Sequence, residues 1–302
     1  MNPSPGQPWS RRSFLKAAAT ASGLTLVGQE ICRAEALGPL IDVNVGLSRW
    51  PLRHLPCDEP GRLVAKLRSH GVTQAWAGTF DGLLHKDLAA ANARLAEDCR
   101  RFGRGILLPF GSINPTRPDW IEELRRCAQV HHMRGIRLHP NYHGYTLDDP
   151  RFKQLLQRAA ELNLIVQVTL VMEDERMMHP RLRVDPVDTE PLAATVKQIP
   201  GLHLVLLNAL RTLRGPRLSS LLDAGDVCVE LAMLEGVGGL DNLLAQTPTD
   251  RVLFGSHAPL FYFEAAELKL KESLLTTHQA RAIRFENATR LFDAASPHRW
   301  AR

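Results

Sequence analysis

Gly135-Ile136-Arg137-Leu138-His139 is a short apolar stretch, interrupted by one arginine, that stops at a polar side chain just before Pro140. Other apolar runs along the chain stop in the same way, and the polar residues at their ends include Asn44, Asn114, Thr169, Asn208, Glu230 and His257. Polar side chains at the carboxyl ends of successive parallel strands form the active site of a (β/α)₈ barrel. The pattern therefore predicts an α/β fold made of a single (β/α)₈ (TIM) barrel.

Strand-like and helix-like segments alternate at the spacing of βαβ units, which favours a parallel sheet. We predict strands near residues 39–45, 72–77, 105–113, 134–139, 164–170, 202–208, 226–232 and 251–256. Helical periodicity indicates helices at 86–102, 118–130, 150–162, 190–198, 262–274 and 285–292. The long connection 171–189 is expected to lie over the carboxyl-end mouth, since long loops in compact domains are usually functional. The barrel is predicted to span 37–293, with 294–302 as a tail.

The first residues have the layout of an export signal. Ser10-Arg11-Arg12-Ser13-Phe14-Leu15-Lys16 precede the uncharged run from Ala17 to Gln29, as in a basic segment followed by a short apolar one. The paired arginines resemble a twin-arginine signal, which the export machinery reads as an address. The apolar run is shorter than the about 20 residues that span a bilayer, so we expect no membrane anchor. We predict that 1–36 is a signal peptide and that the mature protein is periplasmic or secreted.

Charge and cysteine content argue against a nucleic-acid-binding protein and against a fold built on cysteine pairs. The 37 basic and 32 acidic side chains give a net charge of +5, and the basic residues are spread over helix-like faces, so no nucleic-acid partner is expected. None of the five cysteines shows C-x-x-C spacing, which argues against a zinc ribbon, a redox motif or a disulfide framework. We expect a small-molecule substrate, and a homo-oligomer is possible.

Several segments, taken in order and spacing, resemble the amidohydrolase superfamily. They are Ser112-Ile113-Asn114-Pro115, Gly135–Pro140, Arg251–Ser256 and Glu286–Phe292. The likeness is to the amidohydrolase-related branch of decarboxylases, lactonases and hydratases, and it implies a barrel with a metal-dependent hydrolytic site.

The metal-ligand positions of that family carry other residues in this chain. The first-strand pattern D-x-H-x-H falls on Asp42-Val43-Asn44-Val45-Gly46, and the ligands of strands five, six and eight fall on Thr169, Asn208 and His257. Zinc prefers His, Cys and carboxylate ligands, so we predict that the usual zinc centre is absent and that no cofactor is used. A divalent metal held by His139, Glu230 and His257 is the alternative.

Side-chain alternation along the strands indicates which residues face inward. It places Asn44, Arg137, His139 and Glu230 on inward-facing positions together with Asp42 and Cys228. We predict that His257, His139 and Glu230 are catalytic, as a general acid–base group. Asn44, Arg137, Asn208 and Thr169 are predicted to bind the substrate, for example a carboxylate. Asp42 has a structural alternative, as a turn cap or as the partner of Arg137.

Two further expectations concern the mouth. Pro140 is expected to prevent His139 and His143 from pairing across a helical turn. Aromatic residues are expected to wall the mouth, and they are Tyr142, Tyr145, Phe261, Tyr262 and Phe263.

Three functions are compatible with the sequence. The first is an exported amidohydrolase-related hydrolase, or a lyase or decarboxylase, that acts on a small ester, lactone, amide or carboxylate without the usual zinc. The second is a catalytically inactive barrel that binds a small ligand or partner. The third is a structural or assembly protein. The polar strand ends favour the first.

Overall fold

Eight parallel strands follow one another around a barrel in the computed structural model, which describes residues 37–295. The strands are β1 (Leu40–Leu47), β2 (Val72–Thr79), β3 (Leu107–Ser112), β4 (Gly135–Leu138), β5 (Ile165–Thr169), β6 (His203–Leu207), β7 (Asp226–Glu230) and β8 (Val252–Leu253). The predicted (β/α)₈ fold is confirmed, and each predicted strand is present. The predicted signal peptide lies outside the described residues.

The first strand is joined to the segment that begins at β8. Val43 N–H donates to Phe254 O over 3.0 Å and Gly46 N–H donates to Ala258 O over 2.8 Å. His257 N–H donates back to Asn44 O over 2.8 Å. These bonds continue beyond the two-residue β8 and bring the ends of β1 and β8 together, so Asn44 and His257 are neighbours at the mouth.

Helices connect the strands on the outside of the barrel. They are α1 (Pro60–Ser69), α2 (Asp81–Leu84), α3 (Leu88–Gly103), α4 (Trp120–Gln129), α5 (Pro140–His143), α6 (Pro150–Glu161), α7 (Leu192–Lys197), α8 (Gly215–Leu222), α9 (Gly239–Leu244), α10 (Phe263–Glu272), α11 (Thr277–Arg281) and α12 (Asn287–Ala294). A π-helix, Ala282–Glu286, precedes α12, and 3₁₀ turns occupy Glu175–Met177, Ala209–Arg211 and Thr249–Arg251. Among the described residues, no helix is long and apolar enough to cross a bilayer.

The longest helix, α3, shows how the sequence produces these elements. Asp87 accepts a hydrogen bond from Ala90 N–H over 2.9 Å and so caps the helix. Ala91, Leu95 and Cys99 recur at helical spacing and are buried against the barrel. Each fully buried leucine-sized side chain contributes about 1.5–3 kcal/mol, so the apolar stripe fixes the orientation of the helix.

The amino end of the barrel interior is apolar. Trp76 stacks on Phe110, with 5.0 Å between ring centroids. Ala288 and Leu291 of α12 belong to the same buried cluster. This apolar packing fills the amino end of the barrel interior, and the active sites of barrels of this type lie at the carboxyl end.

The segment after β5 lies at the mouth, as predicted. Met172 belongs to a small apolar cluster with Trp50, Phe80 and Leu260. The buried carboxylate of Glu173 accepts a hydrogen bond from Arg53 over 2.5 Å. These contacts hold the start of the long loop against the end of the barrel.

Candidate functional site

A small cavity of about 10 Å³ lies at the carboxyl end of the barrel. Its walls are Asn44, Gly46, Gly78, Thr79, Phe80, Arg137, His139, Thr169, Met172 and His257. Five of the seven predicted site residues are among them, and the exceptions are Asn208 and Glu230. This volume is far below the range of about 300–1,000 Å³ common for ligand pockets, and it has room for about one water molecule.

Buried polar atoms without partners are concentrated around this cavity. Asn44 Oδ1, Thr169 Oγ1, His257 Nδ1 and both ring nitrogens of His139 accept or donate no hydrogen bond within the described residues. Leaving such an atom unpaired costs about 1–3 kcal/mol, and a native protein rarely tolerates several in one place. The arrangement indicates that these atoms bind something that enters the cavity.

Arg137 places a fixed positive charge in the cavity wall. Its guanidinium donates to Gln167 Oε1 over 2.8 Å, to Val45 O over 2.9 Å and to Trp76 O over 3.0 Å. Burial lowers the pKa of Arg137 to about 10, so the group stays protonated at neutral pH. Gly78 makes room for it, since a Cβ there would lie 2.8 Å from Arg137 Cδ.

Glu230 does not face the cavity, contrary to its predicted position among the catalytic groups. Its carboxylate accepts hydrogen bonds from Asn208 N–H and Ala232 N–H, each over 2.5 Å, and from Asn44 Nδ2 over 3.2 Å. Burial raises the pKa of Glu230 to about 7. An unpaired carboxylate inside an apolar strand would be costly, and these donors at the strand ends satisfy it.

Asn208, which was predicted to bind substrate, also lies beneath the cavity. Its Oδ1 accepts a hydrogen bond from Asn44 Nδ2 over 2.9 Å, and its Nδ2 donates to Val171 O over 2.6 Å. Both side-chain groups are therefore occupied. Together with Glu230, Asn208 holds the amide nitrogen of Asn44, which leaves Asn44 Oδ1 free for a ligand.

Asp42 has the structural position that was considered for it. It accepts hydrogen bonds from Ser256 Oγ over 2.5 Å and from the backbone N–H groups of Ser256 and Asn44 over 3.0 Å each. Burial raises the pKa of Asp42 to about 6. The carboxylate thus ties β1 to the segment after β8, and its charge lies near Arg137.

His257 presents a lone pair to the cavity. Its Nε2 lies 2.9 Å from Met172 O, and because a carbonyl only accepts, Nε2 carries the proton and Nδ1 does not. Burial lowers the pKa of His257 to about 4. The backbone of His257 is left-handed, with φ of 58°, and its N–H donates to Asn44 O of β1. At neutral pH, His257 is therefore a neutral base.

His139 is neutral for the same reason, because burial lowers its pKa well below the ordinary range. The expectation about Pro140 was wrong: His139 O accepts a hydrogen bond from His143 N–H over 3.0 Å, across the short helix α5. Proline is tolerated at the first helical position because no intrahelical donor is needed there. The side chain of His143 nevertheless bonds Gly82 O over 2.8 Å and does not line the cavity.

The predicted aromatic wall is replaced by other residues. None of the five predicted aromatics lines the cavity, where Phe80 and Met172 are found instead. Tyr262 is 74% exposed, and Phe263 belongs to the core. Polar strand ends were the sequence signal for the site, and apolar wall residues such as Phe80 carry no such signal.

The residues that could hold a metal are not those of an ordinary centre. Within residues 37–295, no group of three or more His, Cys, Asp or Glu side chains is placed to bind an ion. Asn44, His139 and Thr169 have unpaired oxygen or nitrogen atoms at one cavity. These three residues could supply uncharged nitrogen and oxygen ligands to a divalent cation such as manganese, beside the charge of Arg137 in the same wall.

Solved structures share this fold. The chain matches the manganese-bound 5-carboxyvanillate decarboxylase of Novosphingobium aromaticivorans with a TM-score of 0.67 and 14% identity, over 85% of this chain and 98% of that one. It matches 2,6-dihydroxybenzoate decarboxylase from Rhizobium with a TM-score of 0.64 and 15% identity, over 84% and 100%. A dihydroxybenzoic acid decarboxylase from Polaromonas, with bound manganese, gives 0.64 and 14%, over 86% and 98%.

The manganese bound in two of these structures corrects the expectation that no cofactor is used. The prediction that no cofactor is used is contradicted, because similar barrels were crystallised with a divalent metal. A comparison with curated protein sequences gave no match. The family model described as Amidohydrolase (Amidohydro_2) matches residues 52–294, which is most of the chain, and this protein therefore belongs to the amidohydrolase-related family.

Proposed function

We propose that this protein is a hydrolase that cleaves a small ester, lactone or amide and releases a carboxylate. The observation that carries the proposal is the pairing, at one enclosed cavity, of a buried guanidinium with a neutral imidazole whose lone pair is free. The first group stabilises negative charge and the second accepts a proton. Acyl hydrolysis needs both.

Arg137 binds the acyl oxygen. A guanidinium has five N–H donors, and the three bonds to Gln167, Val45 and Trp76 leave donors for a ligand. Those three bonds also fix the plane of the group before substrate arrives. A preorganised charge in a dry site stabilises the oxyanion of the transition state and then the carboxylate product.

His257 acts as the general base. Its Nδ1 removes a proton from a water molecule, whose oxygen attacks the carbonyl carbon. The bond to the leaving oxygen or nitrogen then breaks, and the same proton passes to the leaving group. The hydrogen bond from Nε2 to Met172 O keeps the ring in the tautomer that this step requires.

A divalent cation completes the proposal. Asn44, His139 and Thr169 would hold it through their unpaired atoms. When bound, such an ion supplies Lewis acidity that polarises a carbonyl oxygen. Metal analysis of the purified protein tests this point, and we expect Asn44→Leu to lower the metal content. The same variant should show a smaller increase in melting temperature when manganese is added.

The central experiment is an acid-release assay with short esters, lactones and amides. We expect His257→Asn to lower kcat by about 10²–10⁴-fold, the loss typical of a general base, while asparagine tolerates the left-handed backbone. His203→Asn is the matched control, because His203 lies at the amino end of the barrel and bonds Asp226 over 2.7 Å. Equal activity of both variants would overturn the role of His257. Binding without turnover would favour the inactive ligand-binding barrel.

A decarboxylase is the second candidate. The enclosed cavity favours it, since loss of carbon dioxide requires no attacking water, and the similar solved structures are named as decarboxylases. Release of carbon dioxide from short carboxylic acids, with no acid release from esters, would select this reaction.

Export is a separate proposal that rests on the sequence of residues 1–36. The paired Arg11 and Arg12 precede an apolar run, as in signals read by the twin-arginine machinery. Replacing both with lysine should retain the protein in the cytoplasm, as measured by cell fractionation. Unchanged distribution would refute it.

A further inference from the structure

The cavity at the carboxyl end is closed in this structure. Every residue that lines it is buried, and its volume of about 10 Å³ leaves room for about one water molecule. The unpaired polar atoms around it therefore meet a larger ligand only after the cavity opens. We infer that residues 172–186, the mouth segment, form a gate that must move before a ligand enters. This goes beyond the proposed function, because it holds equally for a hydrolase, a decarboxylase or a barrel that only binds a ligand.

An apolar cluster covers the cavity. Phe80 and Met172 belong both to this cluster and to the cavity wall. The cluster draws its buried residues from the chain that follows β1, β2, β5 and β8, and they are Trp50, Leu55, Phe80, Leu83, Met172 and Leu260. Because all four stretches follow the carboxyl ends of their strands, the cluster lies over the mouth of the barrel.

The mouth segment has few buried side chains of its own. Its two ends meet beside β5, where Val187 N–H donates to Leu170 O over 3.0 Å. Within it, Met172 and Glu173 are buried, whereas none of residues 174–186 is. A stretch with so few buried contacts opens at a small cost in free energy compared with the barrel core. The segment can therefore move about its two ends while the barrel stays folded.

Two buried contacts hold the mouth segment over the cavity. The side chain of Glu173 is 3% exposed and accepts a hydrogen bond from Arg53, in the loop after β1, over 2.5 Å. Met172 O lies 2.9 Å from Nε2 of His257. The first contact joins two loops across the mouth, and the second joins the gate to the proposed general base. Opening therefore uncovers the cavity and also releases the bond that fixes the tautomer of His257.

The other contacts of the mouth segment lie nearer the surface. Asp174 pairs with Arg211 over 2.9 Å, and Asn141 Nδ2 donates to Asp185 O over 2.6 Å. Ion pairs near the surface contribute little, because water and salt screen them. The ion pair of Arg53 is different, since its carboxylate is buried and would keep an uncompensated charge if the guanidinium were removed. Loss of Arg53 should therefore open the gate.

Access to His257 can be measured with diethyl pyrocarbonate, which transfers an ethoxycarbonyl group to a neutral imidazole nitrogen. Mass spectrometry of the peptide that contains His257 gives the rate, with His278, which is exposed on α11, as the internal reference. We expect His257 of the wild type to react far more slowly than His278. Arg53→Met should raise the rate at His257 at least tenfold. A factor of ten corresponds to about 1.4 kcal/mol, which is less than the cost of breaking a buried ion pair.

Arg176→Met is the matched control. Arg176 pairs over 2.6 Å with Asp174, two residues away in the same segment, so this ion pair does not join the segment to the barrel. The control should react at the wild-type rate. Glu173→Gln keeps an acceptor for Arg53 but not the charge, so it should raise the rate by a smaller factor. It also serves if Arg53→Met does not fold.

The outcomes separate the gate from the proposed function. The gate is wrong if the folded Arg53→Met and Glu173→Gln variants react at the wild-type rate. It is equally wrong if His257 of the wild type reacts as fast as His278, or if Arg176→Met reacts as fast as Arg53→Met. None of these results bears on the acid-release assay. Faster modification of His257 in Arg53→Met, with no turnover of any ester, lactone or amide, would refute the hydrolase and leave the gate in place.

Discussion

Replacing Arg137 with methionine should destabilise the barrel more than any single surface change. Three acceptors lose their donor, namely Gln167 Oε1, Val45 O and Trp76 O. A buried acceptor left unpaired costs about 1–3 kcal/mol, and methionine, which fills similar volume, recovers part of the loss as apolar packing. We therefore expect a loss of about 3–5 kcal/mol, as for breaking other buried charged networks.

Loss of the positive charge of Arg137 should also destabilise the folded protein. Asp42 and Glu230 are both buried and both interact with the positive charge of Arg137, while Lys269 also interacts with Glu230. Without it their ionised forms lose a compensating partner, and the loss should be larger at pH 8 than at pH 5, where both carboxyls take up protons. Urea unfolding followed by circular dichroism at the two pH values measures this.

Two further variants serve as comparisons for Arg137→Met. Arg134→Met is the matched control, because Arg134 lies just before β4, donates to Ala295 O over 3.1 Å and is partly exposed, so we expect about 1 kcal/mol. Arg137→Lys keeps the charge but not the planar fork, and it should fall between wild type and Arg137→Met. A loss below about 1 kcal/mol for Arg137→Met would refute the account of buried hydrogen bonds.

Three more outcomes follow. Glu230→Gln should change the pH dependence of stability: burial raises the Glu230 pKa from 4.5 to about 7, so its stabilising contribution is full below pH 4.5 and is lost as the pH rises through 7. The wild type minus variant difference in unfolding free energy should thus be on the order of 2 kcal/mol larger at pH 5 than at pH 8, and a flat difference would contradict this. Gly46→Ala should cost about 1–3 kcal/mol by overpacking, and Phe80→Ala in the same chain should remove most of that cost, whereas additive losses would show that the two residues do not compete for space. Chelation of divalent metal should lower the melting temperature of the wild type but not of Asn44→Leu, and identical shifts would argue against Asn44 as a ligand.

The fold could be predicted because it depends on repetition. Every strand places apolar residues at regular spacing, and an error in one strand leaves the alternation of eight intact. The interior position of Arg137 followed from side-chain alternation within β4, which geometry fixes. Strand ends were less certain, because β8 has only two residues and the chain after it continues as a loop that is hydrogen-bonded to β1.

The site could be predicted only in part, because a strand end does not fix what a side chain bonds to. Glu230 is the last residue of β7 and His139 follows the last residue of β4, yet Glu230 accepts hydrogen bonds from backbone donors and both nitrogens of His139 are without a partner. Phe80 was missed because an apolar wall residue looks like core in a sequence. The difference between these positions arises from contacts between residues far apart in the chain, such as the bond from Asn44 to Glu230.

The polar residues at the mouth form two layers, which differ in whether their polar atoms already have hydrogen-bond partners. Asp42, Asn208 and Glu230 have their polar groups occupied by strand ends, and they form a floor whose carboxylates compensate the buried charge of Arg137. Above this floor, Asn44 and His257 keep one atom each without a partner. A buried guanidinium without such a floor would be too costly to retain, and a floor alone would leave nothing for a ligand to bind. The carboxylates therefore act through the charge of Arg137 rather than by touching substrate, and the contacts with a ligand fall to the residues whose atoms remain unpaired.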